Sequence, residues 1–569
     1  MNKSLWCLLL FCQTLTAQVS PMLLAKMESS DRLPVLVVFR QQANLDKWQS
    51  SWTKEQKALF VYRSLRQNAD EQQQRVMQYL QKAQVPFRSF AVANCIQAEL
   101  SKDLIFQLAD FQEIEKICYD SPQRFLFPTN DNSLVIQSRG PDFSWGLDKM
   151  QVPAVWDLGF KGKGVIVAGE DTGVKWDLGP IKEKYKGYQN GTVNHNYHWH
   201  DAIHSISPLS GSPDNPCGLN TKEPCDDHSH GSHTVGTMVG ITDDLRFGVA
   251  PEAQWIGCRN MERGNGSPSS YIECFEFFLA PHDLQGKNAD ALQSPHVINN
   301  SWYCSLEEGC DTATFPVMER VIENLRKSGI VVVVSAGNDG AACSTLNHIP
   351  ALFDGSFSVG SVKQDLKISE FSSNGPVVNY KQVRIKPNVV APGSDVVSVI
   401  IDGSLASWSG TSMAGPHVAG LVALIISANP RLAGQVEQIE KIIEETALPL
   451  DSGFDCWPYL GTTIPNNTFG FGFVNAKAAV DKALSLLVDT EQDDKDKVKI
   501  YPNPANEFIL VEQIKPVSGD WMIEDALGRM VYQWTPQIGV HRIDINTWKS
   551  GIYFMSNRNG FYQSFVVKP

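Results

Sequence analysis

A serine set between small residues is where this chain could do covalent chemistry. Gly410-Thr411-Ser412-Met413-Ala414-Gly415-Pro416-His417 opens an apolar stretch, Val418 to Ile426, that reads as a buried helix. Small neighbours leave space for a substrate carbonyl beside the serine oxygen. A helix starting there aims its orphan N–H groups and positive dipole end into the same space. A serine attacks a carbonyl only with a base to take its proton, an acid to orient that base, and donors to meet the oxyanion. The chain supplies a candidate for each part: Asp171 in Glu170-Asp171-Thr172-Gly173, His230 in His228-Ser229-His230-Gly231-Ser232-His233, and Asn338 in Ser335-Ala336-Gly337-Asn338-Asp339-Gly340.

These residues need elements to hold them. Asp171 follows the apolar run Val165 to Ala168, and Asn338 follows Ile330 to Val334, nearly all β-branched. Such runs read as strands covered on both faces. Their carboxyl ends are where open α/β sheets place sites. Helical stretches at Glu319 to Lys327 and Val436 to Glu445, and a strand at Ser356 to Val362, complete an alternation that predicts a mostly parallel sheet with helices on both sides. Ahead of it, a strand at Leu33 to Phe39, one or two helices within Lys54 to Gln84, a strand at Phe87 to Ile96, a helix at Ser101 to Phe111 and a strand at Ile114 to Tyr119 read as a small α+β domain. After the charged run Asp489 to Asp496, read as a linker, seven short alternating segments between 498 and 569 predict a small β-sandwich.

Bulk properties narrow the function. The 569 residues exceed one small domain, and the net charge of -13 argues against a general nucleic-acid binder. Met1-Asn2-Lys3-Ser4, an apolar core and Leu15-Thr16-Ala17 read as a secretory signal, 1–17. An oxidising destination favours disulfides among the cysteines. Cys217/Cys225 and Cys304/Cys310 could close short loops, Cys95 and Cys118 could bridge within the small domain, and eight later cysteines allow 105 pairings. Zinc is the rival, but no CxxC pair occurs. A metal site from His228, His230 and His233 is the weaker reading beside a packed His233 and a rim His228. Glu170 reads as a polar neighbour of Asp171.

Taken together, the motifs resemble the subtilisin-like serine proteases, in the bacillopeptidase F-like branch. Val167-Ala168-Gly169-Glu170-Asp171-Thr172-Gly173, His230-Gly231-Ser232-His233-Thr234-Val235-Gly236-Thr237 and the Ser412 motif match the family's Asp, His and Ser motifs in its chain order. The branch resemblance runs through Asn196 to Ala202, Gly248 to Pro251 and Trp255 to Met261. It implies a secreted serine endopeptidase with Ser412 as nucleophile, His230 as base and then acid, Asp171 as its orienting acid and Asn338 as oxyanion donor. Asn300, Ser301 and Trp302 would form the substrate-side strand, with Ser301 to Tyr303 facing Ser335, Ala336 and Gly337 across a pocket. Trp302 and Tyr303 depart from the family's Leu-Gly, which leaves the pocket's preference open.

The resemblance implies a subtilisin-like three-layer catalytic domain over 140–484, an inhibitory propeptide domain over 32–126 cut near Phe125 to Ser133, and a linker over 485–497. Lys499-Ile500-Tyr501-Pro502-Asn503-Pro504-Ala505, Ile523 to Arg529 and the closing Phe565-Val566-Val567-Lys568-Pro569 resemble the C-terminal sorting domain of type IX secretion, over 498–569. Expected partners are peptide or protein substrates, the propeptide and the secretion machinery, with no nucleic acid and a monomeric mature form. The expected location is outside the outer membrane, released or surface-attached. The chemistry is expected to need no cofactor; structural calcium would draw on loop acids such as Asp177, Asp214, Asp226 and Asp227, although no EF-hand spacing is present. The competing readings are a catalytically silent adhesion protein on the same scaffold and a peptide ligase sharing the nucleophile.

Overall fold

The computed structural model describes residues 17–124, 142–304, 311–378, 380–453, 455–495, 498–513, 520–525, 529–535, 538–557 and 562–568. The signal read at 1–17 and the processing region after 124 fall almost wholly outside these residues, as does Cys310. The chain divides into two compact units, Met1–Val480 and Asp481–Pro569.

The first unit opens with a small domain that already begins at β1 (Gln18–Val19), before the expected start at 32. It continues through α1 (Pro21–Lys26), β2 (Arg32–Phe39), α2 (Lys54–Lys82), β3 (Phe87–Phe90), β4 (Cys95–Ser101), α3 (Lys102–Ala109), β5 (Ile114–Tyr119) and β6 (Gln123–Arg124). The sheet order is β1-β5-β2-β4-β3. Residues 54–82 form one helix, started by a Thr53–Gln56 capping box. The expected strand at Phe87 to Ile96 breaks into β3 and β4, with Asn94 in the left-handed region between them. Cys95 and Cys118 do not bridge: both are free and buried. They pair with Val38 and Leu36 on opposite sides of β2. Two strand spacings, roughly 9–10 Å, exceed the reach of a disulfide.

The second part of this unit is a seven-stranded, wholly parallel sheet, with helices on both faces. Its elements are β7 (Ile166–Asp171), β8 (Trp199–Asp201), α4 (His230–Val239), β9 (Gln254–Arg259), β10 (Asn265–Gly266), α5 (Pro268–Leu279), β11 (Val297–Asn300), α6 (Phe315–Lys327), β12 (Val331–Ser335), β13 (Phe357–Val362), β14 (Val389–Pro392), β15 (Val396–Val399), β16 (Leu405–Trp408), α7 (Thr411–Ala428) and α8 (Val436–Thr446). The sheet runs β8-β9-β7-β11-β12-β13-β14, while β10, β15 and β16 lie outside it. Helices α4 and α7 pack on one face and α5 and α6 on the other. Side chains alternate between the two faces, as in any strand. Gly169 therefore meets Val235 of α4, while Ala168 joins the cluster built on α5 and α6. Helix α7 is longer than its apolar run and long enough to span a membrane, but 94% of it is buried in the protein, so it is a core helix.

Among the described residues of the second unit, seven strands form two antiparallel sheets. β17 (Val498–Tyr501), β18 (Phe508–Gln513) and β21 (Gly539–Asp544) make one. β19 (Trp521–Asp525), β20 (Met530–Trp534), β22 (Gly551–Asn557) and β23 (Tyr562–Val567) make the other. Alternate residues of both sheets, among them Ile509, Val511, Ile523, Met555 and Phe565, share one core. The acidic segment read as a linker is helical, within Ala476–Lys495.

Candidate functional site

Strand alternation decides which acid at the end of β7 faces the site. Asp171 points toward α4, where its carboxylate accepts from His230 Nδ1 at 2.8 and 2.9 Å and from Thr172 N at 2.7 Å. Glu170 points the other way, buried, and accepts from Asn260 Nδ2 at 2.7 Å. Burial pushes its carboxyl well above the ordinary carboxylate range; the Asn260 bond opposes this less strongly.

Glycines let the Asp and His motifs touch. A Cβ at Gly231 would lie 1.9 Å from Gly173 O, and one at Gly173, whose φ is +106°, would lie 1.8 Å from Cys225 O. In the space they leave, Gly231 N donates to Thr172 Oγ1 at 3.1 Å and Thr172 Oγ1 donates to Asp226 at 2.8 Å. His230 begins α4 and is fully buried. His233, one turn on, stacks on Trp408 with ring centroids 4.7 Å apart; burial lowers its pKa to about 3, so it is a neutral packing residue.

Ser412 lies in the first turn of α7, which packs against α4. Pro416 has no N–H to return to the carbonyl of residue 412. Ser301 Oγ takes that place, donating to Ser412 O at 2.9 Å, and Ser412 Oγ donates to Ser301 O at 3.3 Å. The serine is thereby tied to the exit of β11. Asn338 is fixed from its oxygen side: Oδ1 accepts from Thr411 N at 2.9 Å and Thr411 Oγ1 at 3.0 Å. Its Nδ2 is buried with no hydrogen-bond partner. An amide donor left unmet beside a serine at a helix start is an arrangement that can receive an oxyanion.

The remaining site residues sort by side chain. Asn300 Nδ2 donates to Val333 O at 3.0 Å, tying β11 to β12. The Trp302 indole stacks on Tyr271 at 3.8 Å inside the core. Ser335 ends β12, and Ala336 and Gly337 lead on to Asn338; all three are buried.

Several contributors were not visible in the sequence. Arg259 is fully buried and grips Asp201 with Nε and Nη2, each at 2.9 Å. It also donates to Gly218 O at 2.7 Å, inside the loop closed by the Cys217–Cys225 disulfide. That pairing was expected. Cys258–Cys274 and Cys343–Cys456 were not, while Cys304 is disulfide-bonded. Asp226 is spent on Thr172 Oγ1 and the N–H groups of His228, Ser229 and Ser232. Asp227 is spent on Asn215, Arg259 and Arg263 N; burial raises its pKa to about 7. Among the described residues no group of three or more His, Cys, Asp or Glu side chains is placed to hold a metal ion.

The small N-terminal domain sits on α5 and α6. Glu276 of α5 accepts from Ala91 N at 3.2 Å and Val92 N at 2.6 Å, and Asn324 Nδ2 donates to Val92 O at 2.9 Å. Asp120 accepts from Ser269 N, at the start of α5, at 2.9 Å. Arg88 meets Glu273 at 3.2 Å. From there the chain enters β6, which pairs antiparallel with β10.

A subtilase-family model matches residues 162–472, and a secretion-system C-terminal sorting-domain model matches 499–568. Bacillopeptidase F of Bacillus subtilis is 33% identical over 484 residues, covering 80% of this chain, and this chain spans only 31% of that protein's length. Subtilisin Savinase of Lederbergia lenta is 29% identical across 59% of this chain and 97% of its own. The crystal structure of the epidermin leader peptide processing serine protease of Staphylococcus aureus, a serine-to-alanine mutant, matches in fold. Its TM-score is 0.55 at 16% identity, covering 79% of this chain and 99% of that one.

Proposed function

The chain belongs to the subtilase family, and from that premise we propose that it is a secreted serine endopeptidase made as a self-inhibited precursor. The observation that carries this reading is the buried pair of Asp171 on β7 and His230 on α4, with α4 packed against the helix whose first turn holds Ser412 and with Asn338 Nδ2 unmet. His230 Nε2 takes the Ser412 proton as Oγ adds to the scissile carbonyl. Asp171 holds Nδ1–H in place and stabilises the imidazolium. Asn338 Nδ2 and the Ser412 N–H receive the oxyanion. His230 then protonates the leaving amine, and water repeats the sequence on the acyl-enzyme. Every part is a side chain or backbone group of this chain, so the chemistry calls for no cofactor.

Residues from Gln18 to Arg124 act as the propeptide. Their docking on α5 and the antiparallel addition of β6 to β10 support this reading, since strand addition is how an extended peptide is held on a folded domain. The terminal module, a two-sheet sandwich, directs export through type IX secretion. The mature form acts on extended peptide segments as a monomer, outside the cell. The test is processing: the wild type separates from its propeptide, while Ser412→Ala accumulates as the full precursor. A Ser412→Ala protein processed at the wild-type rate in purified form would remove the self-cleavage reading.

A further inference from the structure

Two neighbouring acids end β7, and they are supplied differently. Asp171 accepts from His230 Nδ1 at 2.8 and 2.9 Å and from Thr172 N at 2.7 Å. Glu170, on the other face, is fully buried and accepts from Asn260 Nδ2 at 2.7 Å. Among the described residues its second oxygen, Oε2, finds no partner, and neither does Asn260 Oδ1; both atoms are buried. Buried polar atoms are nearly always paired. These two belong to one contact, a planar carboxyl and a planar amide already joined at one corner. A carboxylate oxygen and an amide oxygen are both acceptors, so they cannot bond each other. A proton on Oε2 turns it into a donor and closes the second side of an acid–amide ring.

The charges around Glu170 favour that proton. Burial and then the neighbouring Asp171 charge act against ionisation, while the Asn260 bond favours it. On β9, Glu170 pairs with the disulfide-bonded Cys258, and the Arg259 guanidinium lies on the Asp171 face, held by Asp201 and Asp227. On β11 its partner is the neutral Asn300, whose Nδ2 donates to Val333 O and whose Oδ1 is one more unmet acceptor. On α5, Glu273 and Glu276 are turned to Arg88 and to the N–H groups of Ala91 and Val92 in the small domain. Asn260 in turn fixes the backbone of the reacting acid. Asp171 O accepts from Asn260 N at 3.0 Å and Met261 N at 3.4 Å, and Ser270 Oγ, in the first turn of α5, donates to Asn260 O at 2.7 Å. The hairpin beyond has bonds of its own, Glu262 N to Asn265 O at 2.7 Å and Asn265 N to Glu262 O at 2.8 Å. Loss of the ring is therefore felt at Asp171, and through it at the imidazole, rather than at β10.

Resting on the protease reading above, we propose that Glu170 is a protonated positioning residue: its Oε2–H donates to Asn260 Oδ1, and the acid–amide ring so closed holds the backbone that presents Asp171 to His230.

The experiment has a spectroscopic and a kinetic arm. Infrared difference spectra of the full chain at about pH 7, wild type minus Glu170→Gln, should show the C=O stretch of a protonated carboxyl. A carboxylate band in its place overturns the proposal. In the mature enzyme, Glu170→Met, similar in length and without a polar hydrogen, should lower kcat on a fluorogenic peptide by at least about tenfold with KM within about threefold, because small displacements of reacting groups cost rate. Glu170→Gln, whose amide N–H takes the place of Oε2–H, should regain at least about fivefold of that loss. Asn260→Leu opens the ring from its other side and should reproduce the Met loss; it covers the case in which the Met variant does not fold. A fluorophosphonate probe that labels Ser412 counts competent sites in each protein. An unchanged kcat in folded Met and Leu variants overturns the proposal, and so does a Gln variant as impaired as Met. Absence of both labelling and turnover in the wild type instead sinks the protease reading, and the infrared arm still decides where the proton is.

Discussion

Replacing Asn338 by alanine removes one donor and leaves the rest of the reacting set in place. The structure allows the loss to be apportioned. Asn338 Nδ2 has no partner in the resting protein, so its removal breaks nothing in the ground state. Oδ1 accepts from Thr411 N and Oγ1, and losing these two neutral bonds costs stability of roughly 1–3 kcal/mol in total. An oxyanion donor acts only once the carbonyl oxygen carries charge, so its loss falls on kcat. A single such donor is worth about 2.7–4 kcal/mol, a fall in kcat of about 10²–10³. The assay is steady-state hydrolysis of a fluorogenic peptide that the wild type cleaves, with a thermal melt on the same sample. Asn338→Ala should lose about 10²–10³ in kcat with KM within about threefold, at a temperature where it is fully folded. A folded variant whose kcat falls less than fivefold, or whose loss lies in KM, would refute the assignment of Asn338 and the geometry that led to it.

Further outcomes follow from other contacts. Asp171→Asn should keep the His230 contact but favour the wrong imidazole tautomer, lowering kcat at neutral pH by about 10⁴ with the fold intact by circular dichroism. Glu170 has a carboxyl raised by burial, so the folded protein holds that proton more tightly than the unfolded chain does. Its contribution is therefore greatest below the ordinary value of 4.5 and declines as pH rises from there toward the folded pKa. Glu170→Gln should flatten that decline and raise Tm at neutral and alkaline pH, read from melts between about pH 5 and 9; an unchanged pH profile would contradict the buried-acid account. Removing Cys343–Cys456 as a double serine variant opens a cross-link of 113 residues and should lower unfolding free energy by up to about 5 kcal/mol in denaturant titrations.

The reading from sequence was strongest where chemistry demands particular residues at particular strand ends. Asp171 and His230 meet because a period-two strand and two glycines leave one arrangement for them. The parallel sheet was legible in the β-branched run ending at Val334, and the terminal strands were legible in their alternation. Long-range partners were not. Nothing in Arg259 announces Asp201, which becomes its neighbour only when β8 pairs with β9. Cys258–Cys274 links β9 to α5, a pairing set by helix-on-sheet packing rather than by spacing. Cys95 and Cys118 looked bridgeable because sequence does not reveal that β2 runs between them. Helix α7 starts at the serine motif, as the sequence reading had it, and runs on through Gly415 and Pro416, where Ser301 supplies the hydrogen bond that the proline cannot make. His348 lies ten residues beyond Asn338, and only the fold brings its ring onto Tyr303.

The central claim is that Ser412 becomes acylated. Mature protein is treated with a fluorophosphonate, digested and mapped by mass spectrometry, with Ser412→Ala alongside and casein hydrolysis followed in parallel. The account predicts one adduct, on the peptide carrying Ser412, formed in step with the loss of casein cleavage and absent from the variant. An adduct on another residue that abolishes cleavage, or undiminished casein cleavage by Ser412→Ala, would contradict it.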